Sequence, residues 1–172
     1  MTALSEFREA KDTFFRGSPD SPLLPDQQRE FTGLRYYPED PNLRLLLEPQ
    51  VFDSPEIVEM QTSTGDQSRY LRWGRVAFAV EGKEAQLVVL RDPGDGRFFL
   101  PFQDAGRGIE TYGAGRYLEP ELLPDGRLLL DFNDAYNPYC AYNDAWSCPL
   151  PPPENRLNVH IRAGEMQFHE EL

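Results

Sequence analysis

Proline and glycine set the first limit on what this chain can fold into. Sixteen prolines and thirteen glycines are spread along 172 residues, so turns recur too often for a bundle of long helices. Many short elements joined by turns favour β structure. The hydrophobic patterning agrees. Val58, Met60 and Thr62 fall on one face of an alternating segment, and Val76, Phe78 and Val80 on one face of another. Glu81-Gly82-Lys83 reads as a hairpin turn leading into 86–91, and Pro93-Gly94-Asp95-Gly96 as a turn before 97–102. Asp125-Gly126 separates 116–118 from 128–132 as a second hairpin candidate. Leu157, Val159, Ile161 and Ala163 alternate with Asn158, His160 and Arg162, which predicts a half-buried final strand ended by Gly164.

The N-terminal part reads differently. Leu4, Phe7, Ala10 and Phe14 recur at helical spacing over residues 2–16, with Thr2 or Ser5 as N-cap and Gly17 as a stop. Pro19, Pro22 and Pro25 make 18–26 an extended connector, and two short strands are expected at 31–37 and 43–47. The expected architecture is mainly β: a single domain over 1–172, a β-sandwich or distorted barrel. A helical arm at 1–16 packs outside a β-rich core at 31–165, and a long ordered loop at 131–155 lies over one end of the sheet.

The formal net charge of −12 argues against nonspecific binding to nucleic acid or to anionic membrane, both of which need a positive patch. Lys11 and Lys83 are the two lysines, on a surface helix and in a hairpin turn, and both are weak candidates for Schiff-base chemistry. No charged-then-apolar leader and no run of about 18 apolar residues occurs. The expectation is a cytoplasmic protein with reduced thiols, no nucleic-acid or membrane partner and no cofactor. The oligomeric state is left open.

The segment 131–155 has the least ordinary composition. It holds both cysteines and four of the six asparagines, with Asn158 just beyond, and aromatic residues interleave with the amides. Together with Phe31-Thr-Gly-Leu-Arg-Tyr-Tyr37, Thr111-Tyr-Gly-Ala-Gly-Arg-Tyr-Leu118 and Ala163-Gly-Glu165, it resembles the DUF1684 family, a bacterial and archaeal group of unknown function. The likeness covers nearly the whole chain. One local departure is Gln103-Asp-Ala-Gly-Arg-Gly108, where a Thr and a small polar residue are expected after Asp104. The resemblance implies no reaction, substrate or cofactor, so the chemistry rests on the residues.

Seven residues lie between Cys140 and Cys148, which is not the C-x-x-C spacing of a thioredoxin-like motif. Buried thiols, a disulfide, or a zinc site of Cys140, Cys148, His160 and one carboxylate are the alternatives. An oxidised loop this short would contribute roughly 2.5 kcal/mol in the chain-entropy model. A nucleophilic role is disfavoured because the segment supplies carboxylates rather than cations near the thiols. Asp131, Asn133, Asn137, Asn143, Glu154 and Asn155 either bind the loop's own backbone or line a polar pocket, and no Asp-x-Asp-x-Asp-Gly calcium loop is present. Arg116 is expected to pair with Asp131 or Glu154, fixing two loops or offering a guanidinium to an anion.

Three functions follow. The leading one is a non-catalytic binding domain for a small polar or anionic molecule, with Tyr112, Arg116, Asp131, Asn133, Tyr136, Asn137, Tyr142 and Glu154 as candidate site residues. The second is a hydrolase or lyase using Asp131 or Glu154 as general base with Arg116 holding an anionic group. The third is a protein–protein interaction module built on the Tyr/Trp/Asn surface.

Overall fold

The structure is a computed structural model that describes residues 2–169. Two antiparallel sheets form its body. The larger runs β2 (Gln50–Gln61), β3 (Gln67–Val80), β4 (Lys83–Arg91), β5 (Phe98–Phe102) and β6 (Arg116–Leu118) in that spatial order. The smaller places β8 (Leu128–Asp131) between β1 (Arg44–Leu47) and β7 (Glu121–Leu122). Neither sheet closes on itself, so of the two expected architectures the sandwich is the one observed. No helix among the described residues is long and apolar enough to cross a membrane.

Alternation in the strands decides where each face goes. In β3, Val76, Phe78 and Val80 point into the main core, and in β4 Leu87 and Val89 join them. Leu128 and Leu130 of β8 enter the same cluster, so the two sheets share one interior. A fully buried aliphatic or aromatic side chain contributes roughly 1.5–3 kcal/mol of transfer free energy, and this cluster supplies most of the chain's large ones. The intervening β4 residues, Val88 and Leu90, face the other way and pack with Met60, Val58, Phe52, Tyr70 and Phe99. The segment 131–155 covers that second face. Its Asn155, fully buried, accepts from the Val88 N–H (2.8 Å) and donates to the carbonyls of Val88 and Pro101 (2.9 Å each). The tip of the β2–β3 hairpin grips the same segment, because Ser63 N–H donates to the Cys148 carbonyl and Leu150 N–H to that of Gln61.

Several sequence expectations need correction. The hairpin at Asp125-Gly126 joins β7 to β8, not β6 to β8. Residues 25–30 form a short helix, α2 (Pro25–Glu30), with Pro25 at its first position where its missing N–H costs nothing. The N-terminal helix α1 (Ala3–Gly17) forms as expected and is closed by a Thr2–Ser5 capping box, but it docks through another face. Phe7 and Phe14 are 57% and 38% exposed. The inward face carries Arg8, Lys11, Asp12 and Phe15. Arg8 donates to the Tyr37 carbonyl (3.0 Å), Asp12 accepts from Leu34 N–H (3.1 Å), and Lys11 pairs with buried Glu165. Phe15 packs with Leu23, Phe31 and Tyr142. Polar contacts therefore orient this helix, and apolar periodicity alone points to the wrong side.

The expected final strand is half right. Leu157, Val159, Ile161 and Ala163 are all buried, so the alternation correctly marks an inward side. No ladder forms, however. The segment meets the rest of the protein through an isolated bridge, Gln103 with Arg156, and single bonds such as Ala105 N–H to the Val159 carbonyl. The first expected strand, 31–37, is likewise reduced to one bridge between Tyr36 and Glu165.

Candidate functional site

What replaces the missing ladder is Arg116. Its side chain is 1% exposed and its guanidinium donates to three backbone carbonyls of the last segment: Ile161 (2.8 Å), Ala163 and Glu165 (3.0 Å). The carboxylate beside it belongs to Asp104, 3.8 Å away and equally buried. Asp104 in turn accepts from Thr111 Oγ1 (2.7 Å) and Ile161 N–H (2.9 Å). The expected pairing of Arg116 with Asp131 or Glu154 is thus incorrect. Glu154 forms a two-pronged pair with Arg72 (3.1 and 2.9 Å), and Asp131 lies 3.9 Å from Arg44 while accepting from Asn133 N–H. A buried guanidinium with three of its five N–H donors on backbone carbonyls, and Asp104 beside it, is held by the fold rather than offered to a ligand. Burial pushes its pKa down, and Asp104 opposes that shift.

Gly115, beside it, explains why the turn before β6 needs glycine. It sits at φ +107°, and a Cβ there would lie 2.6 Å from the Phe102 carbonyl oxygen and 2.8 Å from Pro151. Gly164 plays the same part at the other end of the network, at φ +81° with Ala135 O 2.6 Å from where a Cβ would stand.

The remaining amides also serve the fold, although Asn137 Oδ1 is buried without a hydrogen-bond partner among the described residues. Asn133 exchanges two bonds with the backbone of Asp40 (2.8 and 2.9 Å). Asn137 donates to the Met166 carbonyl, and its N–H reaches Glu165. Tyr142 is buried and donates to Glu165 Oε1 (2.6 Å). Burial, reinforced by the Glu165 charge, pushes the Tyr142 hydroxyl far up. These residues tie the segment, the last turn and α1 into one block.

The two cysteines are free and buried. Cys140 N–H donates to Cys148 Sγ (3.3 Å), and Tyr112 donates its hydroxyl to Cys140 Sγ (3.7 Å). Both thiols pack with Tyr117 against Phe99, Tyr112 and Tyr136. His160 has different neighbours: it stands against Gly106 and 4.0 Å from Glu110. The zinc candidate of Cys140, Cys148 and His160 is therefore not assembled, and the described residues contain no group of three or more metal-binding side chains.

Beside this block lies a cleft of about 230 Å³ that the sequence reading did not anticipate. Its wall is a row of rings. Tyr70 and Phe99 have centroids 5.0 Å apart, Phe99 meets Tyr117 edge-on at 4.7 Å, and Tyr117 meets Tyr136 at 5.8 Å and 90°. Asp92, Asp95 and Glu119 complete the lining, with Arg97 as its one cation. Arg97 is held by Asp95 (3.1 Å), and Glu119 accepts from the Tyr136 hydroxyl (3.0 Å). Burial raises the Tyr70 hydroxyl, and Asp92 and Asp95 raise it further; burial and then Glu119 do the same for Tyr136. The field in the cleft is negative. A second hollow, of about 270 Å³, shares Tyr117, Tyr136 and Pro149 with it and reaches Cys148. Of the residues expected to form a site, Tyr136 lies in the cleft. Tyr112 packs in the cluster behind it, and Arg116, Asp131, Asn133 and Glu154 do not line it. The missed residues come from three different strands and their ends, and no local motif joins them.

Comparison with known proteins adds family and fold. The model of the family described as "Protein of unknown function (DUF1684)" matches residues 29–166. A solution NMR structure of an uncharacterized protein from gene locus rrnAC0354 of Haloarcula marismortui is similar, at 38% sequence identity and a TM-score of 0.75. That match covers 98% of this chain and 94% of the other. No curated protein matches.

Proposed function

The chain belongs to the DUF1684 family, and from its geometry we propose that it is a binding domain for a small polar molecule, seated in the aromatic cleft between Tyr70 and Tyr136. The observation that carries this reading is the lining itself: five aromatic side chains beside three carboxylates and one already paired arginine. Ring faces attract a cation through their quadrupole by about 0.5–2 kcal/mol, and carboxylates at the rim add attraction and steer approach. The preferred ligand carries a positive group, an ammonium or alkylated ammonium. The option of an anionic ligand rested on Arg116, which is buried and bound to three backbone carbonyls of the fold. The small volume suits a metabolite-sized molecule rather than a polymer.

Titration followed by amide and aromatic NMR shifts tests this. Tetramethylammonium, choline and ethanolamine are compared with acetate and phosphate at matched ionic strength. The cations should shift signals of Tyr70, Phe99, Tyr117 and Tyr136, and Tyr70→Ala should weaken that response without unfolding the protein. Shifts produced by the anions alone, or cation shifts scattered over the acidic surface, would refute the proposal.

A further inference from the structure

We propose that Cys140 and Cys148 form a peroxide-responsive dithiol, in which Cys140 is oxidised first and Cys148 closes an intramolecular disulfide. This proposal is independent of what the cleft binds. Three observations support it. The cysteines are packed neighbours in one cluster, with Cys140 N–H donating to Cys148 Sγ at 3.3 Å. A disulfide at about 2.05 Å is thus reached by local closure rather than by rearrangement of the sheets. Next, the two sulfurs are inequivalent. Tyr112 donates its hydroxyl to Cys140 Sγ (3.7 Å), whereas the donor on Cys148 Sγ is a backbone N–H (3.3 Å). The pair also splits in acidity: Cys148 draws the Cys140 thiol down from its ordinary pKa, and Cys140 pushes the Cys148 thiol up. The polar side chain on Cys140 Sγ is thus a hydroxyl rather than a carboxylate. Finally, there is an entrance. The hollow bounded by Tyr139, Trp146 and Pro149 ends on Cys148, against which Cys140 packs, and Trp146 is 42% exposed. A small oxidant reaches Cys140 past Cys148, whereas the burial of both cysteines, at 6% and 7% exposure, excludes bulky ones.

The chemistry balances with hydrogen peroxide as oxidant. The Cys140 thiolate attacks one peroxide oxygen, breaking the O–O bond. The departing hydroxide takes up a proton to become water, and Cys140 becomes a sulfenic acid. Cys148 then attacks the Cys140 sulfur, displacing the hydroxyl. That hydroxyl leaves with the Cys148 proton as a second water. Two thiols lose two electrons and two protons, and one peroxide becomes two waters. A thiol reductant reverses the change.

The native protein is exposed to hydrogen peroxide, quenched with an alkylating agent, and mapped by mass spectrometry without reduction. The expected product is a peptide pair linked through Cys140 and Cys148, lighter by two hydrogens and restored by dithiothreitol. In Cys148→Ser, dimedone should trap a sulfenic acid at Cys140. In Cys140→Ser, Cys148 should stay untrapped over the same interval. Tyr112→Phe should slow disulfide formation several-fold. Peroxide products confined to methionine sulfoxide, or intermolecular disulfides alone, would overturn the proposal using the unmodified chain, whether or not the variants fold. Trapping at Cys148 in preference to Cys140 would overturn the order of events.

Discussion

Replacing Arg116 separates a structural arginine from a ligand-binding one. In Arg116→Met, three backbone carbonyls and Asp104 lose their buried partner. A hydrogen bond to a charged group contributes about 1.5–3 kcal/mol, and removing one member of a buried ion pair costs about 3–5 kcal/mol. The contributions share atoms and do not add, and Asp104 keeps its bonds from Thr111 and Ile161. A loss of about 4–6 kcal/mol is expected for Met, against a total stability of about 5–15 kcal/mol for an ordinary domain. Arg116→Lys retains the charge beside Asp104. A compact ammonium cannot span three carbonyls that a planar fork reaches, so about 2–3 kcal/mol should be lost. Urea unfolding followed by near-UV circular dichroism, with the slope unchanged between variants, measures both. If both variants stay within about 0.5 kcal/mol of the parent, a margin typical of unimportant surface sites, the reasoning fails and Arg116 would be free to serve a ligand.

Asn155→Ala removes three buried bonds that fasten the 131–155 segment to β4 and β5, and a loss of about 2–4 kcal/mol should appear in the same unfolding assay. A rise in pH tests the buried phenols. Burial is the leading cause of raised pKa values at Tyr36, Tyr37, Tyr70, Tyr112, Tyr117, Tyr136 and Tyr142. Above the ordinary tyrosine pKa of about 10 the unfolded chain releases these protons while the folded one keeps them. Stability is therefore full below that pH and falls as pH rises through it. Alkaline titration should show tyrosinate absorbance appearing cooperatively with loss of near-UV dichroism; gradual ionisation with the fold intact would contradict the burial.

Local pattern carried the sandwich a long way. Alternation at Val76, Phe78 and Val80 and the turn at Glu81-Gly82 are consequences of neighbours in sequence, and β3 and β4 follow them, with Val80 paired to Lys83. The same alternation at 157–163 reported burial and not hydrogen bonding, because its carbonyls are taken by a side chain some 45 residues earlier in the chain. The sequence draws attention to Arg116, yet the carboxylate beside it is that of Asp104. Charge complementarity alone cannot choose among acids, and no periodicity links positions 104, 116 and 161. For α1, the face with more apolar residues was not the face with partners, since Glu165 and the backbone at Leu34 and Tyr37 come from distant positions. The cleft was illegible for a similar reason. Tyr70, Asp92, Phe99 and Glu119 are brought together by strand pairing, and each reads as an unremarkable strand-end residue.

The long strand β2 borders the larger sheet, with β3 on one side and, on the other, only the end at Gln61 covered by Leu150. So long an open rim would ordinarily let one molecule extend the sheet of another. Here the register slips between Val51 and Glu56, which bends the rim, and Pro55 inside that slip lacks the N–H a newcomer would need. Asp53, Glu56 and Glu59 stud the same strand with like charge. Two copies approaching rim to rim meet a kink, a missing donor and mutual repulsion. The sheet can therefore end in water without seeding a fibre.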